Sequence, residues 1–145
     1  MGWKAVSLRT LADAYSDRLE TLPGVKVSLR AEPLEDSPGQ AQHRSVGLFF
    51  ESAITEPTGK NEVLSNDVLI VTTIYKLRRK EQALLDAYDY EALIRHALLS
   101  EWDNKPCVAI DNVGTTRERV GSVLVSKIEF SLQRPDARNP QLLDE

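Results

Sequence analysis

The residues of this chain that could do chemistry are two histidines, one cysteine and a group of acids on one predicted helix. His96 and Cys107 could act as a thiolate–imidazole pair, and Asp86, Asp89 and Glu91 could supply acid–base carboxylates. Their surroundings point elsewhere. Cys107 runs into Val108-Ala109-Ile110, the setting of a buried structural thiol, whereas a reactive thiol needs an electropositive and partly exposed one. Asp86 and Asp89 are three apart and neighbours on a helix surface, yet acids early in a helix also complement its dipole. A solvated acidic face is the simpler expectation. A metal centre needs several converging ligands. His96 has Glu91, Glu101 and Asp103 nearby, none of them three or four residues away on its own helical face, and His43 stands apart.

Two segments suggest anion binding and fall short of it. Pro57-Thr58-Gly59-Lys60 evokes a nucleotide phosphate loop, whose glycines let the amides cradle phosphate and whose hydroxyl holds magnesium. Ile54 stands where the first glycine is needed and Asn61 where the hydroxyl is needed, so a polar turn is expected. Gly114 and Gly121, with Thr115, Thr116 and Arg117, could form an anion nest, but a hairpin connection between the last two strands accounts for them. The cations Lys76, Arg78, Arg79 and Lys80 sit where a strand becomes a helix. They predict a solvated junction, or a docking patch for an acidic partner or passing DNA, because grouped cations raise the local potential.

The elements that must position these groups fit in one domain of 145 residues, long enough to bury about 68–70% of its unfolded surface. The apolar fraction is 41% and the net charge −4. This argues against a nucleic-acid-coating protein, which would carry a strongly basic face. A single cysteine allows no intramolecular disulfide and fits a reducing compartment. The first residues hold no apolar run of the secretion type, Val6 stands where myristoylation wants Ser or Thr, and no apolar run nears the ~20 residues a bilayer requires.

Ser7 caps a predicted helix to about Leu22, with Leu8, Leu11, Ala12, Tyr15, Leu19 and Leu22 at helical spacing. Pro23-Gly24 ends it. Val25, Val27 and Leu29 alternate as a strand, 31–43 reads as a loop, and 44–50 as a second strand. The polar stretch 51–65 predicts a second long loop, of a length that is usually functional or disordered. The third strand, 66–77, is apolar on both faces: Val68, Ile70, Thr72 and Ile74 on one, Leu69, Val71, Thr73, Tyr75 and Leu77 on the other. A one-sided sheet strand would alternate instead. From about 81 to 100 the period changes to that of a helix, with Ala83, Ala87, Tyr90, Ile94 and Ala97 in a stripe and Leu84, Tyr88 and Leu99 outside it. A short strand at 107–110 and a final strand at 122–132, bulged near Ser126-Lys127, complete the series. The expected fold is α+β: a mainly antiparallel sheet of four or five strands with two helices on one face, spanning 1–132 and followed by a polar, flexible tail at 133–145.

Size and element order together resemble the tail terminator, or tail-completion, proteins of long-tailed bacteriophages. The resemblance covers about 7–132. It is carried by the helix Leu8 to Leu22, the turn Pro23-Gly24-Val25, the long loop before Asn66, the strand Val68 to Tyr75 feeding the helix Ala83 to Leu99, and the closing strand Val123 to Phe130. It implies an α+β subunit of a hexameric ring in the tail or neck of a virion, assembled in the cytoplasm of a bacterial host. Such a ring caps the tail tube, ends its polymerisation and offers a surface to the head connector. The implied partners are further copies of the chain, the tube protein and the connector or neck protein, with DNA only passing through the lumen and no membrane. The resemblance implies no catalytic residue, metal or cofactor. The surplus apolar surface of the third strand then becomes a partner site. Glu56, Lys60, Val68, Ile70, Thr72, Ile74 and Tyr75 are the expected subunit or tube contacts, with Lys76, Arg78, Arg79, Lys80, Arg117 and Arg119 for polar docking. The alternatives are a neck or head-completion adaptor and, in other classes, a small cytosolic enzyme or a dimeric sensor domain.

Overall fold

A computed structural model describes residues 6–23, 25, 27–29, 45–57, 62–77, 80–103, 105, 106 and 109–137; at 52–57, 62, 63, 80, 136 and 137 it describes the backbone alone. The fold is α+β, with two helices and a five-stranded, mostly antiparallel sheet. In chain order the elements are α1 (Leu8–Glu20), β1 (Val27–Leu29), β2 (Ser45–Pro57), β3 (Glu62–Lys76), α2 (Lys80–Leu99), β4 (Ala109–Val120) and β5 (Val123–Ala137). The strands lie side by side as β1-β2-β3-β5-β4. β1 runs parallel to β2, and every other pair is antiparallel.

Helix α1 forms where the sequence predicts it. The Ser7 hydroxyl accepts the Thr10 amide at 3.1 Å, satisfying one of the orphan donors of the first turn. Leu11, Tyr15 and Leu19 are fully buried on its inner stripe. In α2, Ala83, Ala87, Ile94 and Ala97 turn inward, and the three small alanines bring the helix close to the sheet. Both helices cover one face. A single cluster joins their inner stripes to Leu48, Leu69, Val71, Tyr75, Ile128 and Phe130. Trp102, just beyond α2, stacks edge-on against Tyr15 at 6.0 Å, with the Arg18 guanidinium 5.3 Å from its ring centre. The Arg18 Nε also donates to the Ala97 carbonyl at 3.0 Å, tying the helices together.

Several boundaries differ from the sequence expectation. Composition predicts a loop over 51–65, but β2 and β3 remain paired out to Pro57↔Val63, with one irregularity between Ser52 and Ile54. Backbone hydrogen bonds need no apolar side chain, and Pro57, lacking an N–H, stands at the end of the ladder where it is tolerated. The connection of the last two strands is only Gly121-Ser122, because Gly114 to Val120 belong to β4. Gly121 takes φ 59°, the left-handed conformation that a tight hairpin turn requires. No bulge interrupts β5 at Ser126-Lys127, since its register with β3 runs unbroken from Lys76↔Val123 to Glu62↔Ala137. The apolar residues change parity because the sheet is apolar on both faces: Ile128 and Phe130 face the helices, while Val123 and Val125 join Ile74 in a second cluster on the other side. The irregularity on this side of the sheet falls instead in β4, between Asn112 and Gly114. Residues 133–137, expected to begin a flexible tail, are strand. Arg134 there is buried, and its Nε donates to the buried Asp67 carboxylate at 2.7 Å. Its Nη1 donates to the Val6 carbonyl at 2.7 Å, and the Val6 amide donates to the Pro135 carbonyl, so the segment entering α1 is pinned to β5.

Candidate interaction site

A polar constellation lies under α2. Glu91 falls at helical spacing from Ala87 and Leu98, which directs it inward, and it is fully buried. Arg117 occupies the helix-facing side of β4, opposite Ser126. Its Nε donates to both Glu91 oxygens, at 3.1 and 2.9 Å, and its Nη2 makes a further contact with Oε1. The Ser126 hydroxyl donates to Oε2. These bonds hold the Arg117 guanidinium above its ordinary pKa and also leave it 4.7 Å from the Tyr88 ring centre. Beside them, the Thr73 hydroxyl donates to the Tyr75 hydroxyl at 3.0 Å, and Tyr75 meets Tyr90 edge-on. A carboxylate with both oxygens engaged is a structural tie, not a free base. Glu91 therefore departs from the solvated acidic face that the helix position predicts, because its phase on α2 turns it toward the sheet, where Arg117 and Ser126 satisfy it.

The other chemistry-bearing residues do not converge on it. His96 and Asp89 are exposed on the outer side of α2, and the half-buried Asp86 accepts from the Gln82 amide at 3.1 Å. Among the described residues, no three of His, Cys, Asp and Glu are grouped as a metal site would require. His43, Lys60, Arg78, Arg79 and Cys107 lie outside the described residues, as do the side chains of Glu56 and Lys80.

The expected contact residues on β3 divide by register. Val68 and Ile70 are half-buried on the face away from the helices. Thr72 and Ile74, on that same face, are already buried within the chain, and Tyr75 is buried beneath the helices. Among the cations expected to dock a partner, Arg117 is neutralised by Glu91 and the exposed Arg119 donates to the Gly121 carbonyl at 3.1 Å. Lys76 is half-buried.

The exposed apolar surface is elsewhere. Leu84, Tyr88 and Leu99, which periodicity places outside the inner stripe of α2, are exposed, and so are Leu85 at 48% and Leu93 at 46%. β4 is an edge strand and its side chains are mostly exposed over twelve residues. At the opposite edge, among the described residues, β1 pairs with Val46 to Leu48 of β2, and Leu29 is 61% exposed. A groove of about 480 Å³ opens there between α1 and the sheet, lined by Leu8, Ala12, Leu29, Leu48 and Phe50. Helical phase could have revealed Leu85, one position from Leu84. No local signal reveals the groove, because its lining comes from α1, β1 and β2 together. Among the described residues, no helix is long and apolar enough to cross a membrane. No protein-family model matches the chain, and no curated protein matches it at a significant level.

Proposed function

We propose that this chain is a structural virion protein whose copies close into a ring at the end of a phage tail tube. The ring stops tube polymerisation and joins the tail to the head connector. The observation that carries the reading is the placement of apolar surface. Large aliphatic and aromatic side chains stand outward on α2 beside a twelve-residue strand with no outer neighbour among the described residues, while the Glu91–Arg117 cluster is consumed in holding the fold. Contiguous exposed apolar surface and an uncovered strand edge are features of assembly surfaces. In this reading the protein needs no cofactor. Its partners are other copies of itself, the tube subunit and the connector, and it resides in the tail or neck of the virion after assembly in the host cytoplasm.

Native mass spectrometry and negative-stain imaging of the pure protein, alone and with tail-tube subunits, test the reading. Rings that bind tube ends and limit tube length are expected. A monomer that never joins tube ends refutes it. Deleting the gene from its phage should give overlong tails; normal tails detached from heads would indicate a neck adaptor instead, and normal virions would reject both.

A further inference from the structure

We infer that neighbouring copies meet head to tail, the outer stripe of α2 on one copy seating in the groove between α1 and the β1–β2 edge of the next. This rests on the assembly reading above and gives it a contact surface. Leu84, Leu85, Tyr88 and Leu99 are all exposed, and helical geometry gathers them on one flank of α2, with Leu93 on the other. That flank overlies the β4 edge, because Arg117 stacks on Tyr88 and the Arg95 guanidinium reaches the Thr115 hydroxyl at 3.5 Å.

The groove is at the opposite end of the strand order. Its volume falls within the ~300–1,000 Å³ typical of small-ligand sites, enough to receive protruding side chains. Its lining is apolar except for Arg9 and Asp13, one charge of each sign. The stripe is bracketed in the same way, by Glu81 toward its start and Arg95 toward its end. A protruding apolar ridge with one charge of each sign at its ends is complementary to such a lining. The backbone agrees. Among the described residues, β4 has no outer neighbour, and β1 pairs with β2 at Val46 to Leu48. The β4 edge can accept a strand of the next copy. The two surfaces differ and occupy opposite edges, so their contact is heterologous. It propagates from copy to copy and closes when the rotation allows. A two-fold pairing of β4 with itself would stop at two copies and leave the groove empty.

Two full-length variants test this. Leu85→Glu with Tyr88→Glu disables the stripe, and Leu29→Glu with Arg9→Glu disables the groove. All four positions are exposed, so circular dichroism and melting temperature should stay near wild type; Leu85→Ser and Leu29→Ser replace the glutamates if they do not. Sedimentation velocity and native mass spectrometry should find each variant alone monomeric, its apparent Kd raised at least about tenfold by burying an unpaired charge. Mixed in equal amounts, the two should form 1:1 heterodimers and nothing larger, since one keeps the groove and the other the stripe. Leu93→Glu should assemble as wild type. The contact is overturned if the folded variants still assemble, if the mixture fails to pair, or if one variant forms two-fold homodimers. Rings that still cap tubes after both substitutions would reject this contact and keep the assembly reading. A wild-type protein that neither self-associates nor joins tube ends would reject both.

Discussion

Replacing Arg117 by alanine should reveal how much the fold depends on the tie beneath α2. Glu91 is fully buried, whereas the Arg117 side chain is about one-third exposed. Removing one partner of a fully buried ion pair costs about 3–5 kcal/mol, since the remaining charge loses its compensation. Water can reach the space that Arg117 vacates, and the Ser126 hydroxyl still donates to Glu91, so a smaller cost of about 2–3 kcal/mol, below that range, is expected. For a domain of this size that corresponds to a fall in Tm of about 5–10 °C. Glu91→Leu with Arg117→Leu should restore stability to within about 1 kcal/mol of wild type, because apolar replacement of both partners removes the buried charge as well as the bond. The coupling energy from the full cycle should then be at least about 1.5 kcal/mol. Urea unfolding followed by tryptophan fluorescence reads these differences, provided the m-value is unchanged. If Arg117→Ala falls within about 0.5 kcal/mol of wild type, the pair behaves as an ordinary screened surface contact and the reasoning is wrong.

Tyr15 and Gly121 give sharper local tests. The Tyr15 hydroxyl is buried and finds no hydrogen-bond partner among the described residues, so Tyr15→Phe should be neutral or stabilise by about 1 kcal/mol in thermal or urea unfolding; a loss of more than about 1 kcal/mol would mean that the hydroxyl is satisfied. Burial also pushes the Tyr15 phenol up from its ordinary value. Its contribution is therefore fully present below the unfolded phenol's pKa of about 10 and declines as pH rises above it. Stability measured between pH 9 and about 11 should fall less steeply in Tyr15→Phe than in wild type; equal slopes would refute the assignment. Gly121→Ala meets no atom within 4 Å, so its cost is the left-handed backbone alone, about 1–2 kcal/mol, and Gly121→Asn should recover part of it in the same unfolding assay.

Periodicity within a single element was legible in the residues. Ser7 followed by Leu11, Tyr15 and Leu19 marks the start and inner face of α1, and Pro23 marks its stop. The alanine stripe Ala83-Ala87-Ala97 identifies the side of α2 that lies on the sheet, and the same phase leaves Leu84, Tyr88 and Leu99 outside. These features are local: they depend on a residue's position relative to neighbours three or four away, which the chain order itself encodes. Glu91 also lay at core spacing. Its acidic type concealed that, because burying a carboxylate is costly without a partner to compensate it, and its partner Arg117 is 26 residues distant.

The tertiary structure decided what depends on a partner far along the chain. Polar composition over 51–65 gave no sign that β3 would hold β2 in a ladder to Pro57. The residues at 133–137 read as tail until Arg134 met Asp67, 67 positions away. The parity change in β5 reads as a bulge in one dimension, and in three it is a straight strand serving two apolar clusters. By itself the chain fixes which residues share a face of each helix or strand, because that follows from backbone geometry over a few residues. Which faces meet, which strand lies at an edge and where a groove forms between α1, β1 and β2 follow from packing between distant segments, and no local pattern contains them.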